Sequence, residues 1–139
     1  MKPALKRRLG RSIMPRVLVL DGEKLIRWSL KQLLSEEGHE VDTAATADEA
    51  LRLAETRNYA LIITDLEICG EQVKTFYARM LSKQEGSSVI VLTALAKDQA
   101  EKTLADFKTF LILEKPFASE DIKSSAKKAL GAMTGGGGR

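Results

Sequence analysis

The 139-residue chain has one cysteine, one histidine, one tryptophan and three prolines. Cys69 alone cannot close an intrachain disulfide, and Cys69 with His39 cannot make a His/Cys zinc site. The longest apolar runs, 59–63, 89–92 and 110–113, fall far short of the roughly 20 residues a bilayer span needs. The basic N-terminal stretch lacks the apolar segment of a secretory signal. The glycine-rich phosphate loops of dinucleotide-binding and P-loop proteins are missing too. These absences point to a cytoplasmic setting and away from membranes and nucleotide cofactors.

With 44% hydrophobic and 29% charged residues, what remains is the composition of one folded domain. The net charge of +3 is unevenly spread. Six of the 22 basic residues lie in 1–16 with no acidic residue among them, which leaves 16 basic against 19 acidic in the rest. The pattern predicts a basic flexible arm over 1–14, a mildly acidic domain over 15–131, and a glycine-rich disordered tail over 132–139. Met14 is an alternative natural start. The leftover residues hold no helix-turn-helix or other DNA-binding module, so nucleic acid is not an expected partner.

Strand-like runs alternate with helix-like stretches. Arg16–Leu20, Glu40–Ala45, Ala60–Thr64, Val89–Thr93 and Phe110–Leu113 are the strand candidates, the second polar enough for a sheet edge. Between them, Ile26, Leu30, Leu33 and Leu34 share one helical face before the stop at Gly38. Thr46 and Glu49 have capping-box spacing ahead of Ala47, Ala50, Leu51 and Ala54. Val73, Phe76, Tyr77, Met80 and Leu81 give a third helix, and Ala100, Leu104 and Phe107 a fourth. Ser119 is positioned to cap a fifth, with Lys127 and Lys128 in its last turn. Strands one, three, four and five are near-continuous apolar runs, as expected of a parallel sheet covered on both faces. The fold class is therefore α/β, a doubly wound five-stranded parallel sheet with five helices.

Ligands of such sheets bind beyond the carboxyl ends of the strands, where strand order reverses. The residues there are Asp21, Gly22 and Glu23, then Asp65, Leu66 and Glu67, then Thr93, then Glu114, Lys115 and Pro116. Each has a structural explanation: the aspartates could cap helices, Thr93 could pack, and Lys115 could be solvated. Together they bring two carboxylates, a hydroxyl and an ammonium to one crevice. Carboxylate oxygens suit a hard ion such as Mg²⁺, lysine and hydroxyl suit phosphoryl oxygens, and an aspartate can accept a phosphoryl group covalently.

These residues resemble the CheY-like receiver domain of bacterial two-component response regulators, with a flavodoxin-like (βα)5 fold. The matching segments are Leu20-Asp21-Gly22-Glu23, Ile63-Thr64-Asp65-Leu66-Glu67, Val91-Leu92-Thr93-Ala94 and Leu113-Glu114-Lys115-Pro116-Phe117. Asp65 follows Asp21 by 44 residues and precedes Thr93 by 28 and Lys115 by 50, as in that family. The resemblance implies that Asp65 is the phosphoacceptor, assisted by Thr93 and Lys115. It implies Mg²⁺ held by Asp21, Asp65 and the backbone carbonyl of Glu67, and a cis Lys115–Pro116 bond. It also implies phosphoryl transfer from a histidine kinase or phosphotransfer protein. The only catalysis implied is phosphorylation and dephosphorylation of Asp65 itself. With no output domain in the sequence, a stand-alone receiver is expected to signal by protein contact through helix four, strand five and helix five. Lys123, Lys127 and Lys128 would face an acidic partner there or be simply solvated. A homodimer is open.

Three departures stand out. Gly22 replaces the second acidic residue of the pair, which weakens the metal site, and Glu67 is a candidate to turn inward in its place. Ile112 replaces the aromatic coupled to Thr93. Cys69-Gly70 replaces Pro-Gly, which makes Cys69 a loop filler. A phosphorylation-independent pseudo-receiver, acting as a protein-interaction module, is therefore the alternative; an unrelated doubly wound enzyme using Asp21, Asp65 and Lys115 is a third. Trp28 is expected to pack beside its helix's apolar face, and His39 to be a solvated loop residue.

Overall fold

The computed structural model describes residues 15–68, 73–109 and 111–134. Strands and helices alternate as β1 (Arg16–Leu20), α1 (Lys24–Glu36), β2 (Glu40–Ala44), α2 (Ala47–Thr56), β3 (Leu61–Asp65), α3 (Val73–Lys83), β4 (Ser88–Thr93), α4 (Lys97–Thr103), β5 (Leu111–Glu114) and α5 (Ser119–Thr134). The strands form one sheet in the order β2-β1-β3-β4-β5, every pair parallel. This is the doubly wound (βα)5 fold expected from the strand pattern.

The apolar runs are explained by burial on both faces. Alternate residues of β1, β3 and β4 point to opposite sides. Leu18, Leu20, Ile62, Val89 and Val91 meet α2, α3 and the buried Ala100 of α4. Val17, Val19, Leu61, Ile63, Ile90 and Leu92 meet α1 and α5. β2 is a polar edge, as predicted. β5 is the opposite edge and only half-buried, with Ile112 packing toward one layer and Leu111 and Leu113 toward the other. Its range shifts by one residue, placing Glu114 inside the strand; Phe110 lies outside the described residues.

Local signals set most of the helix ends. α1 closes with Gly38 at φ +94°, while Gly38 N–H donates to Ser35 O and His39 N–H to Leu34 O, a Schellman ending. Thr46 Oγ1 accepts from Glu49 N–H at 3.1 Å, and Glu49 Oε1 accepts from Ala45 N–H, one residue further back than a capping box requires. α5 departs from expectation at both ends. Ser119 is already the first helical residue, and Asp121 two residues on reaches back, its Oδ2 accepting from Ala118 N–H at 3.1 Å. The helix then continues through Gly131 to Thr134, three residues past the expected boundary, so Lys127 and Lys128 sit mid-helix. A single glycine costs a helix about 1 kcal/mol, too little to end one set between the good helix formers Leu130 and Ala132. α4 stops at Thr103; Leu104 and Phe107 pack from the segment that follows, Phe107 edge-on to Tyr77 at 5.8 Å. The arm over 1–14, Cys69-Gly70 and residues 135–139 of the tail lie outside the described residues.

Two side chains differ from their expected environment. Trp28 is 60% exposed, because only Leu30 and Leu34 of α1 point fully inward. His39 is half-buried, and its Nδ1 is enclosed without a hydrogen-bond partner.

At the sheet's β2 edge, Asp42 Oδ2 accepts from Arg57 Nη1 and Tyr59 Oη, both at 2.8 Å, and from Arg16 Nη1 at 3.4 Å. Burial pushes this carboxyl up, but the bonds from Arg57 and Tyr59 and the charges of Arg57 and Arg16 outweigh it and hold it below the usual value of 3.8. A carboxylate whose folded pKa is lowered stabilises the fold above its unfolded value, and that contribution is lost as pH falls through the folded value. Asp42→Asn is therefore expected to cost about 1–2 kcal/mol at pH 7, with the difference from wild type shrinking below pH 3.8. Urea unfolding at pH 7 and pH 3 measures this; an equal deficit at both values would contradict it.

Candidate functional site

Strand order reverses between β1 and β3, where an acidic residue follows β1 and another ends β3. Leu20 pairs with Thr64, which sets Asp21 beside Asp65. Asp21 is fully buried; its Oδ1 accepts from Glu23 N–H at 2.9 Å, and its own N–H donates to Ala44 O. Arg27, one turn into α1, donates from Nη1 to the Asp21 carbonyl at 2.8 Å and ties that helix to the loop. Asp65 ends β3, and its Oδ1 accepts from Glu67 N–H at 3.2 Å.

Lys115 joins the carboxylates from the far side, just after β5. Its Nζ lies 3.1 Å from Asp21 Oδ2, 3.5 Å from Asp65 Oδ1 and 3.7 Å from Glu23 Oε1. The Lys115 N–H also donates to Thr93 O at 2.7 Å, and the Lys115–Pro116 bond is cis, as the resemblance implied. Burial would lower the ammonium's proton affinity, but the hydrogen bond it donates to Asp21 and the charges of Asp65 and Asp21 raise it overall. Asp65 moves the other way from a typical ion-paired acid. Burial and then the neighbouring Asp21 charge push it up to about 6, against the pull of Lys115 and the Glu67 N–H, and the Glu67 side chain adds to the rise. Two carboxylates thus share one ammonium, and the crevice has unbalanced negative charge.

Asp21, Asp65 and Lys115 therefore converge as the strand-end argument required, with Thr93 fully buried at the end of β4. Glu23 reaches only the rim and is 69% exposed. The Glu67 side chain lies beside Asp65, whose proton affinity it raises, and both of its carboxylate oxygens are engaged at the end of β4. Its Oε2 accepts from Thr93 Oγ1 at 2.5 Å and its Oε1 from Ala94 N–H at 3.2 Å. Thr93 Oγ1 in turn accepts from Leu95 N–H at 3.0 Å, which directs the hydroxyl proton outward to Glu67. The sequence offered the Glu67 carbonyl as a metal donor and its side chain as a substitute acid, and did not reveal this bond. The only signal was an acid two residues beyond Asp65. Ile112 is half-buried on β5 and packs against the α2/α3/α4 layer.

Residues 17–127 match the response regulator receiver domain family. The chain is a member of that family. Among curated relatives, this receiver domain is similar to the transcriptional regulatory protein PdtaR of Mycobacterium tuberculosis, 32% identical over 108 residues. That match takes in 77% of this chain and 52% of PdtaR. The transcriptional regulatory protein PmrA of Pectobacterium parmentieri is 29% identical over 112 residues, 81% of this chain and 50% of PmrA. The chain thus spans about half the length of these relatives. Among solved structures, a CheY-like receiver domain protein from Methanospirillum hungatei superposes with a TM-score of 0.82 at 25% identity, covering 90% of this chain and all of that one. The Vibrio cholerae chemotaxis protein CheY4 does so with a TM-score of 0.75 at 27% identity, covering 85% of this chain and all of that one. The receiver fold and its place in two-component signalling follow. Among the described residues no helix is long and apolar enough to cross a membrane.

For Mg²⁺, the ion receiver domains generally bind, the donors that the resemblance implies are the Asp21 and Asp65 carboxylates and the Glu67 carbonyl. All are hard oxygens, and Mg²⁺ keeps waters in its remaining positions. The Asp21 charge, which adds to burial in raising Asp65, is of the sign a cation would relieve. The donors fit the ion, but sparsely. Among the described residues no three His, Cys, Asp or Glu side chains group as a metal site.

Proposed function

We propose that this receiver domain accepts a phosphoryl group on Asp65 and passes the signal on by protein contact. The observation that carries this is the convergence of Asp21, Asp65, Lys115 and Thr93 at the strand-order reversal. In the transfer, an Asp65 carboxylate oxygen forms a bond to phosphorus while the bond from phosphorus to the donor histidine nitrogen breaks. The nitrogen keeps the electron pair and takes a proton from solvent. Lys115 is placed to neutralise charge on the acyl phosphate, and Thr93 to donate its hydroxyl to a phosphoryl oxygen. Asp21, Asp65 and the Glu67 carbonyl would hold Mg²⁺, which supplies further charge neutralisation to the group in transfer. The donor would be a histidine kinase or phosphotransfer protein, and the output face α4, β5 and α5.

Acetyl phosphate tests the acceptor directly, with acetate as the leaving group. With Mg²⁺ present, peptide mass mapping is expected to place a phosphoryl group on Asp65, and Asp65→Asn is expected to carry none. A label that persists in Asp65→Asn would refute the assignment.

Gly22 favours a second reading. With the second acid absent, the domain would serve as a phosphate-independent interaction module, and the buried Asp21–Lys115–Asp65 cluster would be structural. The discriminating sign is a wild-type chain that takes no label while Gly22→Asp does.

A further inference from the structure

The Thr93 hydroxyl and the Ala94 N–H form an adjacent pair of donors at the end of β4, facing the Asp65 crevice. Both are already engaged by the two oxygens of one side chain, Glu67. A carboxylate offers what two oxygens of a phosphoryl group offer: negative charge and two acceptors at fixed separation. The placement follows from the loop. Leu66 is buried and anchors the turn after β3, and the Glu67 N–H bonds back to Asp65 Oδ1, so the side chain returns across the crevice mouth to β4. Thr93 has no freedom to avoid it, since its oxygen is held by Leu95 N–H and its side chain is fully buried.

We infer that Glu67 is an internal occupant of the phosphoryl-oxygen site: it clamps Thr93 and Ala94 in the unphosphorylated chain and competes with a phosphoryl group on Asp65. The inference rests on the phosphoacceptor proposal for its competitive half only; the clamp stands on the two hydrogen bonds. Thr93 would then be held in its engaged position before any phosphate arrives. Phosphorylation must first break a charge-assisted pair and bring a dianion next to a displaced carboxylate. The effect is a receiver that is slow to load.

Glu67 is exposed, so truncating it does not threaten the fold. Amide hydrogen exchange on the full chain without a phosphodonor reads the clamp. Ala94 N–H is expected to exchange about 10-fold faster in Glu67→Ala, corresponding to the loss of one hydrogen bond, while the Glu23 N–H held by Asp21 is unchanged. Glu67→Gln, which keeps one acceptor oxygen, should restore part of the protection. Equal Ala94 exchange in all three chains would overturn the inference. The competition is read from the rate of labelling by acetyl phosphate and Mg²⁺ in the Gly22→Asp background. Glu67→Ala is expected to label about 10-fold faster there, and equal rates would overturn the competition. If no chain takes label, the phosphoacceptor proposal falls and the competition with it. Lost Ala94 protection would then still establish Glu67 as a standing clamp on Thr93.

Discussion

Gly22→Asp is expected to tighten Mg²⁺ binding by about 10–100-fold, the range associated with a single supporting group at a metal site. An ideal Cβ built at Gly22 meets nothing within 4 Å, so the new side chain has room without moving the loop. The backbone N–H of the next residue, Glu23, already bonds Asp21 Oδ1, which keeps the loop folded against the crevice. A third carboxylate would convert a pair that shares one ammonium into a group able to hold a divalent ion through oxygen. Calorimetric titration with Mg²⁺ measures the change. An affinity equal to that of wild type would mean that the acid missing from position 22 is not what limits the site.

Gln84→Ala is expected to destabilise the fold by about 3 kcal/mol. It should lower the melting temperature by about 10 °C for a domain of this size. Gln84 follows α3 and is 3% exposed. Its Oε1 accepts from Tyr59 N–H at 2.8 Å, and its Nε2 donates to Ala54 O at 2.9 Å and Arg57 O at 2.7 Å. One amide thus satisfies three backbone groups where α2 runs into β3. Truncation leaves an N–H and two carbonyls without their partner, and such groups are costly to bury. Ser82→Ala is the control. Its hydroxyl bonds only Arg79 O at an exposed position, so the change should stay within about 0.5 kcal/mol. A loss below 1 kcal/mol for Gln84→Ala would show that water reaches the three groups.

The parallel sheet was legible because β1, β3 and β4 are buried on both faces and leave an unbroken apolar signature. β5 carries the same signature although it is an edge, since Ile112 packs on one face and Leu111 and Leu113 on the other. An apolar run reports the covered faces of a strand and not whether both of its sides are paired. The end of α5 was misplaced because Gly131 resembles a stop, whereas a glycine ends a helix only where the backbone turns left-handed, as Gly38 does at φ +94°.

The site was legible to the same depth. Asp21, Asp65, Thr93 and Lys115 are fixed by strand ends, and the topology brings strand ends together. Glu67 and Gln84 act through long side chains whose targets lie 26 and 25 or more residues away in sequence. No local pattern encodes where such a side chain reaches. Trp28 shows the converse: flanking an apolar stripe did not bury it.

The crevice between β1 and β3 is expected to take a phosphoryl group on Asp65. Intact-mass measurement of the wild type and Gly22→Asp, side by side with acetyl phosphate and with Mg²⁺ or a chelator, tests it most directly. A single phosphoryl adduct is expected on both chains with Mg²⁺, forming more slowly on the wild type, with little or none in the presence of the chelator. Two folded chains that both remain unmodified with Mg²⁺ would contradict it.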